Sequence, residues 1–163
     1  MRKTGLMAIA VGLSLMAGPA ASEETLMVQV KRLSLDVATT IAQGAVSACR
    51  QKGIQIGVTV VDRDGTVQAT LRDTIAPPIT LPISKGKAYA AVNFSVATSE
   101  LASRADTPIG RVPGLVMSAG GIPIQVGGAL LGAVGVSGAP TGETDAECAQ
   151  AGIDAVIDDL ELM

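Results

Sequence analysis

Apolar residues recur at helical spacing through SLDVATTIAQGAVSACRQKG, residues 34–53, where Ala38, Ile41, Ala42, Ala45 and Cys49 share one side. Ser34 stands at the capping position and Gly53 at the stop. The period then shortens. IQIGVTVVDRDGTVQATLR predicts two strands joined by a turn at Asp62–Gly65. DRDG is a poor calcium loop, because an EF-hand needs three spaced oxygen residues before its glycine and helices on both sides. APPITLP reads as a loop whose prolines end the preceding strand. Two short helices are expected at 83–94 (ISKGKAYAAVNF) and 98–105 (TSELASRA), the second capped by Thr98 or Ser99.

GGIPIQVGGALLGAVGVSG, residues 120–138, holds seven glycines, a density found both in phosphate-cradling loops and in tight hairpins. Spacing decides between them. Neither G-x-G-x-x-G nor G-x-x-x-x-G-K-[ST] occurs. Ile122, Ile124 and Val126 alternate as in a strand, Gly127–Gly128 suits a two-residue turn, and Ala129–Ser137 forms the return. Gly132 and Gly135 are expected to let a helix or another subunit approach the sheet. TDAECAQAGIDAVIDDLEL predicts one closing helix, with Thr144 and Glu147 as a capping box and Ala149, Ile153, Val156, Ile157 and Leu160 as its stripe. The order is then helix, two strands, two short helices, about three strands, helix. That predicts a single α+β domain with an antiparallel sheet covered by helices.

The first residues change the picture of where the protein works. Arg2 and Lys3 precede an apolar run, Leu6 to Ala17, that is too short to span a bilayer, and small residues follow. The expectation is a signal peptide over residues 1–22 and a domain over 23–163. The mature chain would start at Glu23, or at Ala21, in the periplasm or outside the cell. No cysteine lies near that junction, so a lipoprotein is not expected. Beyond Ser22 stand ten bases and fifteen acids, a net charge of −5, which argues against a nucleic-acid partner. Tyr89 and Phe94 are the only aromatic residues, so the core must be built from small aliphatics. Histidine is missing altogether, which excludes histidine triads, histidine proton shuttles and His-ligated metals.

The stretches VTVVDRDGTV, KGKAYAAVNF with TSEL shortly after, GGIPI, and GALLGAVGVSG followed by Asp145 and AGIDAV together resemble the GlcG/HbpS-like family of haem-degrading or haem-binding domains. The resemblance covers nearly the whole mature chain in order. It implies a profilin-like α/β/α sandwich with a five-stranded antiparallel sheet, assembly into homo-oligomers, and haem as a possible cofactor. The alanine-rich helix carrying Ala88, Ala90, Ala91 and Val92 adds an expectation of its own, that a second subunit covers its surplus apolar surface.

Several residues are candidates for ligand contact. Lys87 falls in line with Ile83, Ala90 and Phe94 on an apolar stripe. There it can snorkel to water, pair with an acid of this chain or a neighbouring subunit, or receive an anionic ligand group such as a haem propionate. Lys85 and Tyr89 lie near the opposite side of that helix, and Tyr89 is a candidate phenolate ligand for ferric haem or a packing residue. Met117, expected on a strand, is a candidate soft ligand or core filler. Arg104 and Arg111 are forked donors suited to propionates, or solvated charges. No nucleophile–base pair or metal cluster is legible, so no catalytic residue is nominated and metal binding is left open. Three functions stay in play: an exported, non-catalytic haem- or tetrapyrrole-handling protein; a small-carboxylate module or accessory to a periplasmic dehydrogenase; and a haem-degrading enzyme.

Cys49 and Cys148 complete the candidates. If the first and last helices pack antiparallel on one sheet face, as the profilin-like fold suggests, the two cysteines approach each other. Cys148 lies off the Ala149–Ile153–Val156 stripe, however, so a bridge and two free thiols both stay open.

Overall fold

Six consecutive buried residues make up β1 (Gly57–Asp62), which therefore needs cover on both faces. It lies inside an antiparallel sheet of order β2-β1-β4-β3, with β2 at Val67–Arg72, β3 at Gly121–Val126 and β4 at Ala129–Ser137. Both predicted hairpins form, the second through Gly127 and Gly128. These elements come from a computed structural model that describes residues 26–162. The expected signal peptide and its cleavage site lie outside the described residues.

The sheet has four strands among the described residues, not five. The missing one was expected around Met117. Instead, residues 115–117 run along a helix, α2 (Thr80–Phe94), where the Val116 amide donates to the Gly86 carbonyl at 3.2 Å. With its backbone bonded to a helix, this segment extends no ladder. Helix α2 also begins three residues earlier than expected. Pro82 falls in its first turn, where no intrahelical N–H is required. Residues Thr98–Arg104 form a 3-10 helix, and neither Thr98 nor Ser99 caps it. The Thr98 hydroxyl instead accepts from the Gly121 amide at 2.8 Å and pins this segment to the start of β3.

Helix α1 (Leu35–Gln51) is capped as expected, Ser34 Oγ accepting from the Val37 amide at 3.3 Å. The closing helix departs from expectation twice. Thr141, not Thr144, caps α3 (Gly142–Asp154), and Glu147 pairs with Lys52 at the surface instead of completing a capping box. The chain then breaks at Ala155–Val156 before a short α4 (Ile157–Glu161). The stripe read from Ala149 to Leu160 does face one core, but it is carried by two helices and the break between them rather than by one helix.

Helices α1 and α3 share one side of the sheet, and α2 covers the other. A Cβ on Gly152 would lie 2.4 Å from the Ile41 carbonyl oxygen, so only glycine lets α1 and α3 meet this closely. On the opposite face a Cβ on Gly135 would lie 2.1 Å from the Ser84 carbonyl oxygen, so α2 rests directly on β4 as expected. Gly132 has a different neighbour, the backbone of Val61 in β1. The alanine-rich α2 needs no second subunit for its cover: Ala88, Ala91 and Val92 pack with Val61 and Ala133, and Ala90 with Leu101 and Met117.

Cys49 and Cys148 are disulfide-bonded, with Cα atoms 5.5 Å apart. Cys148 shares a buried face with Asp145, Ala149, Gly152 and Ile153, because contact with α1 through Gly152 sets the orientation of α3. Nearby, Arg50 grips Asp73 through two hydrogen bonds of 2.7 Å, and this grip holds the Asp73 carboxyl down at about 2 against the opposing effect of burial. The disulfide spans 99 residues of sequence, so replacing both cysteines by alanine should cost about 2–5 kcal/mol in urea unfolding. Alkylation of the unreduced, denatured protein should add no mass; two alkyl groups would show that the bond is not formed.

Candidate functional site

The most demanding polar arrangement joins the two helical layers. Lys87, mid-way along α2, is buried and donates to the Val136 carbonyl at 3.0 Å and to Asp145 Oδ2 at 2.7 Å. Asp145 Oδ1 accepts from the Ala139 amide at 2.9 Å. Burial pushes the Asp145 carboxyl above its ordinary range, opposed by the hydrogen bonds from Lys87 and Ala139 and by the Lys87 charge. Of the readings open for Lys87, pairing with an acid of its own chain is the one observed. Its ammonium is spent there, which leaves it unsuited to a ligand anion. The partner lies 58 residues away in sequence, and its one local signal was a carboxylate four residues before the buried Ala149.

The outward side of α2 is organised differently. Pro82, Lys85, Gly86 and Tyr89 face Pro113 and Gly114 of the following loop and Gly65 of the β1–β2 turn, around an open cleft of about 410 Å³. Tyr89 is half-buried against the turn; a Cβ on Gly65 would lie 2.7 Å from its ring, and Gly65 has φ +82°. Asp62 organises that turn by accepting from the amides of Asp64 and Thr66, each at 2.9 Å. Arg32, from the segment before α1, pairs with both Asp62 and Asp64. The turn is therefore braced from one side and lines the cleft on the other.

The structure thus brings together Lys85 and Tyr89, with Arg111 exposed two residues before the Pro113 lip. The other candidates are elsewhere. Arg104 sits 5.8 Å over the Phe94 ring, a cation–π contact. Met117 is buried against Ala90 and Leu101 and cannot reach a ligand in the cleft. Gly65, Pro82, Pro113 and Gly114 were missed as cleft residues, although the Pro113-Gly114 pair is a turn signal in its own right. Among the described residues no group of three or more Cys, Asp or Glu side chains is placed to hold a metal ion. Tyr89 and Lys85 line the cleft together and offer an oxygen ligand and a cation to a tetrapyrrole, most of which would stand outside a cleft of this volume.

The family model described as haem degrading protein HbpS-like matches residues 33–154. The chain belongs to the HbpS-like family. A crystal structure of a Streptomyces reticuli HbpS double mutant shares 36% identity at a TM-score of 0.77, covering 86% of this chain and 98% of that one. Klebsiella pneumoniae protein ORFY is 26% identical at a TM-score of 0.75, over 82% of this chain and 97% of its own. A PduOC:heme complex is 27% identical at a TM-score of 0.70, over 76% of this chain and 94% of its own. No curated protein matches. Among the described residues, no helix of this HbpS-like chain is long and apolar enough to cross a membrane.

The buried pair makes a sharp expectation about stability. Asp145→Asn or Lys87→Met alone strands a buried polar partner and should cost about 3–5 kcal/mol, whereas Lys87→Met with Asp145→Leu should recover much of the loss. Urea midpoints at constant m-value measure this. Single variants as stable as the parent would show that the two groups are not paired in the core.

Proposed function

We propose that this HbpS-like protein is an exported, non-catalytic haem- or tetrapyrrole-handling protein whose ligand sits at the Tyr89 cleft. The observation that carries the reading is the chain's one tyrosine, half-buried in an open cleft with Lys85, in a family described as haem degrading and with a structural neighbour crystallised with haem. Ferric haem, when bound, supplies a Lewis-acidic iron that takes an oxygen ligand. Tyr89 offers its phenol oxygen, its ring held on one side by close packing against Gly65. Lys85 and Arg111 offer positive charge for carboxylates. The cleft lining offers one tyrosine oxygen and one lysine and, among the described residues, no carboxylate to pair with them as acid and base, which supports handling over degradation.

Hemin titration followed by visible absorbance tests the site. Tyr89→Phe should weaken binding by about tenfold or more, on the order of 1.4 kcal/mol, without moving the unfolding midpoint. Identical titrations for parent and variant would remove Tyr89 from the role, and no binding by either would remove the haem reading.

Export and self-association belong to the same proposal, supported by the basic and apolar start of the chain and by the family resemblance. The periplasmic form should begin at Glu23 or at Ala21, and scatter light as more than one chain. An N-terminus at Met1, or a single-chain mass unchanged at high micromolar concentration, would count against it.

A further inference from the structure

A second cavity, of about 360 Å³, opens on the α1 side of the sheet, away from the Tyr89 cleft. Leu33, Val37, Val126, Leu131 and Leu160 form its wall, and Lys31, Arg32 and Ser34 close it. None of these residues lines the proposed haem site, which Arg32 touches only indirectly, through the turn it braces.

Three properties define what fits. The volume is at the small end of ligand sites, and holds roughly a dozen non-hydrogen atoms at about 30 Å³ each. The wall is aliphatic, with no aromatic ring to stack on a base or sugar and no amide to read hydrogen bonds. The charge at the mouth is single: Arg32 is committed to Asp62 and Asp64, while exposed Lys31 has no ionic partner among the described residues. Ser34 Oγ already accepts from the Val37 amide, which leaves its hydroxyl proton to donate outward. We infer that this cavity binds a medium-chain aliphatic monocarboxylate, its chain along the leucine and valine wall and its carboxylate at Lys31 and Ser34.

Arg32 gives the site a firm edge. Its hold on the β1–β2 turn keeps residues 31–34 against the sheet, so one wall of the cavity is fastened to the turn by ion pairs. Gln68 adds a second fastening, its side-chain amide donating to the Leu33 carbonyl at 2.9 Å.

Isothermal titration of the mature chain with sodium decanoate, which has about twelve non-hydrogen atoms, tests the inference. We expect saturable binding, one per chain, with decanol weaker by about tenfold or more because it lacks the charge. Lys31→Glu, an exposed change that leaves the fold intact, should abolish that preference for decanoate. Val37→Trp should fill the cavity and remove binding of both; where its urea midpoint falls, Leu160→Gln serves as the second wall variant. Absence of saturable binding, equal binding of decanoate and decanol, or binding unchanged in Lys31→Glu and the wall variants would overturn the assignment. The haem proposal fails separately: Tyr89→Phe should leave decanoate binding unchanged, and competition between hemin and decanoate would show that the cavity is not an independent site.

Discussion

Two opposite charges removed from water hold the layers of this domain in register. Lys87 descends from α2 and Asp145 from α3, helices on opposite faces of the sheet, and they meet beside the end of β4. Such a pair is costly to bury and is tolerated when the remaining hydrogen-bonding capacity is also met. Here the Val136 carbonyl and the Ala139 amide meet it. Cys148 and Gly152 follow Asp145 along the same face of α3, so the ion pair, the disulfide and the closest helix contact lie within two turns.

That constraint explains how α2 divides its labour. Its inward side is built from alanine, Thr80, Ser84, Val92 and the paired Lys87, because the helix lies directly on the glycine-bearing β4. Lys85 and Tyr89 lie on the outward side, where they face the cleft. A tyrosine on a rigid helix, backed by a braced turn, is better fixed than one on a loop, and ligand positioning depends on such fixing.

Local signals in the sequence carried the local structure. Ser34 and the stripe to Cys49 foretold α1, and the paired turns foretold both hairpins, because each depends on neighbours within a few residues. What failed depended on distant contacts. Residues 115–117 look strand-like, yet the Gly86 carbonyl claims the Val116 amide; Thr98 looks like a cap, yet it serves Gly121. The stripe from Ala149 to Leu160 does face the core, but it gave no sign of the break at Ala155–Val156, nor that Gly152, a residue with no side chain to count, also brings the Cys148 side of α3 against α1. For the site, the helix face with Lys85 and Tyr89 was legible from spacing, whereas the opposing wall at Gly65 and Pro113 comes from two loops brought together only by folding.

The position of Cys148 after β4 has a consequence for how the molecule comes into being. A chain made from its amino end presents all four strands and α2 before the second cysteine exists. The order of strands is therefore available to be chosen by hydrophobic pairing and turn chemistry without help from the covalent bond. A link that closes last acts chiefly on escape from the native state and slows unfolding more than it guides assembly. Oxidation then governs how long the finished domain endures, while its topology belongs to the sheet.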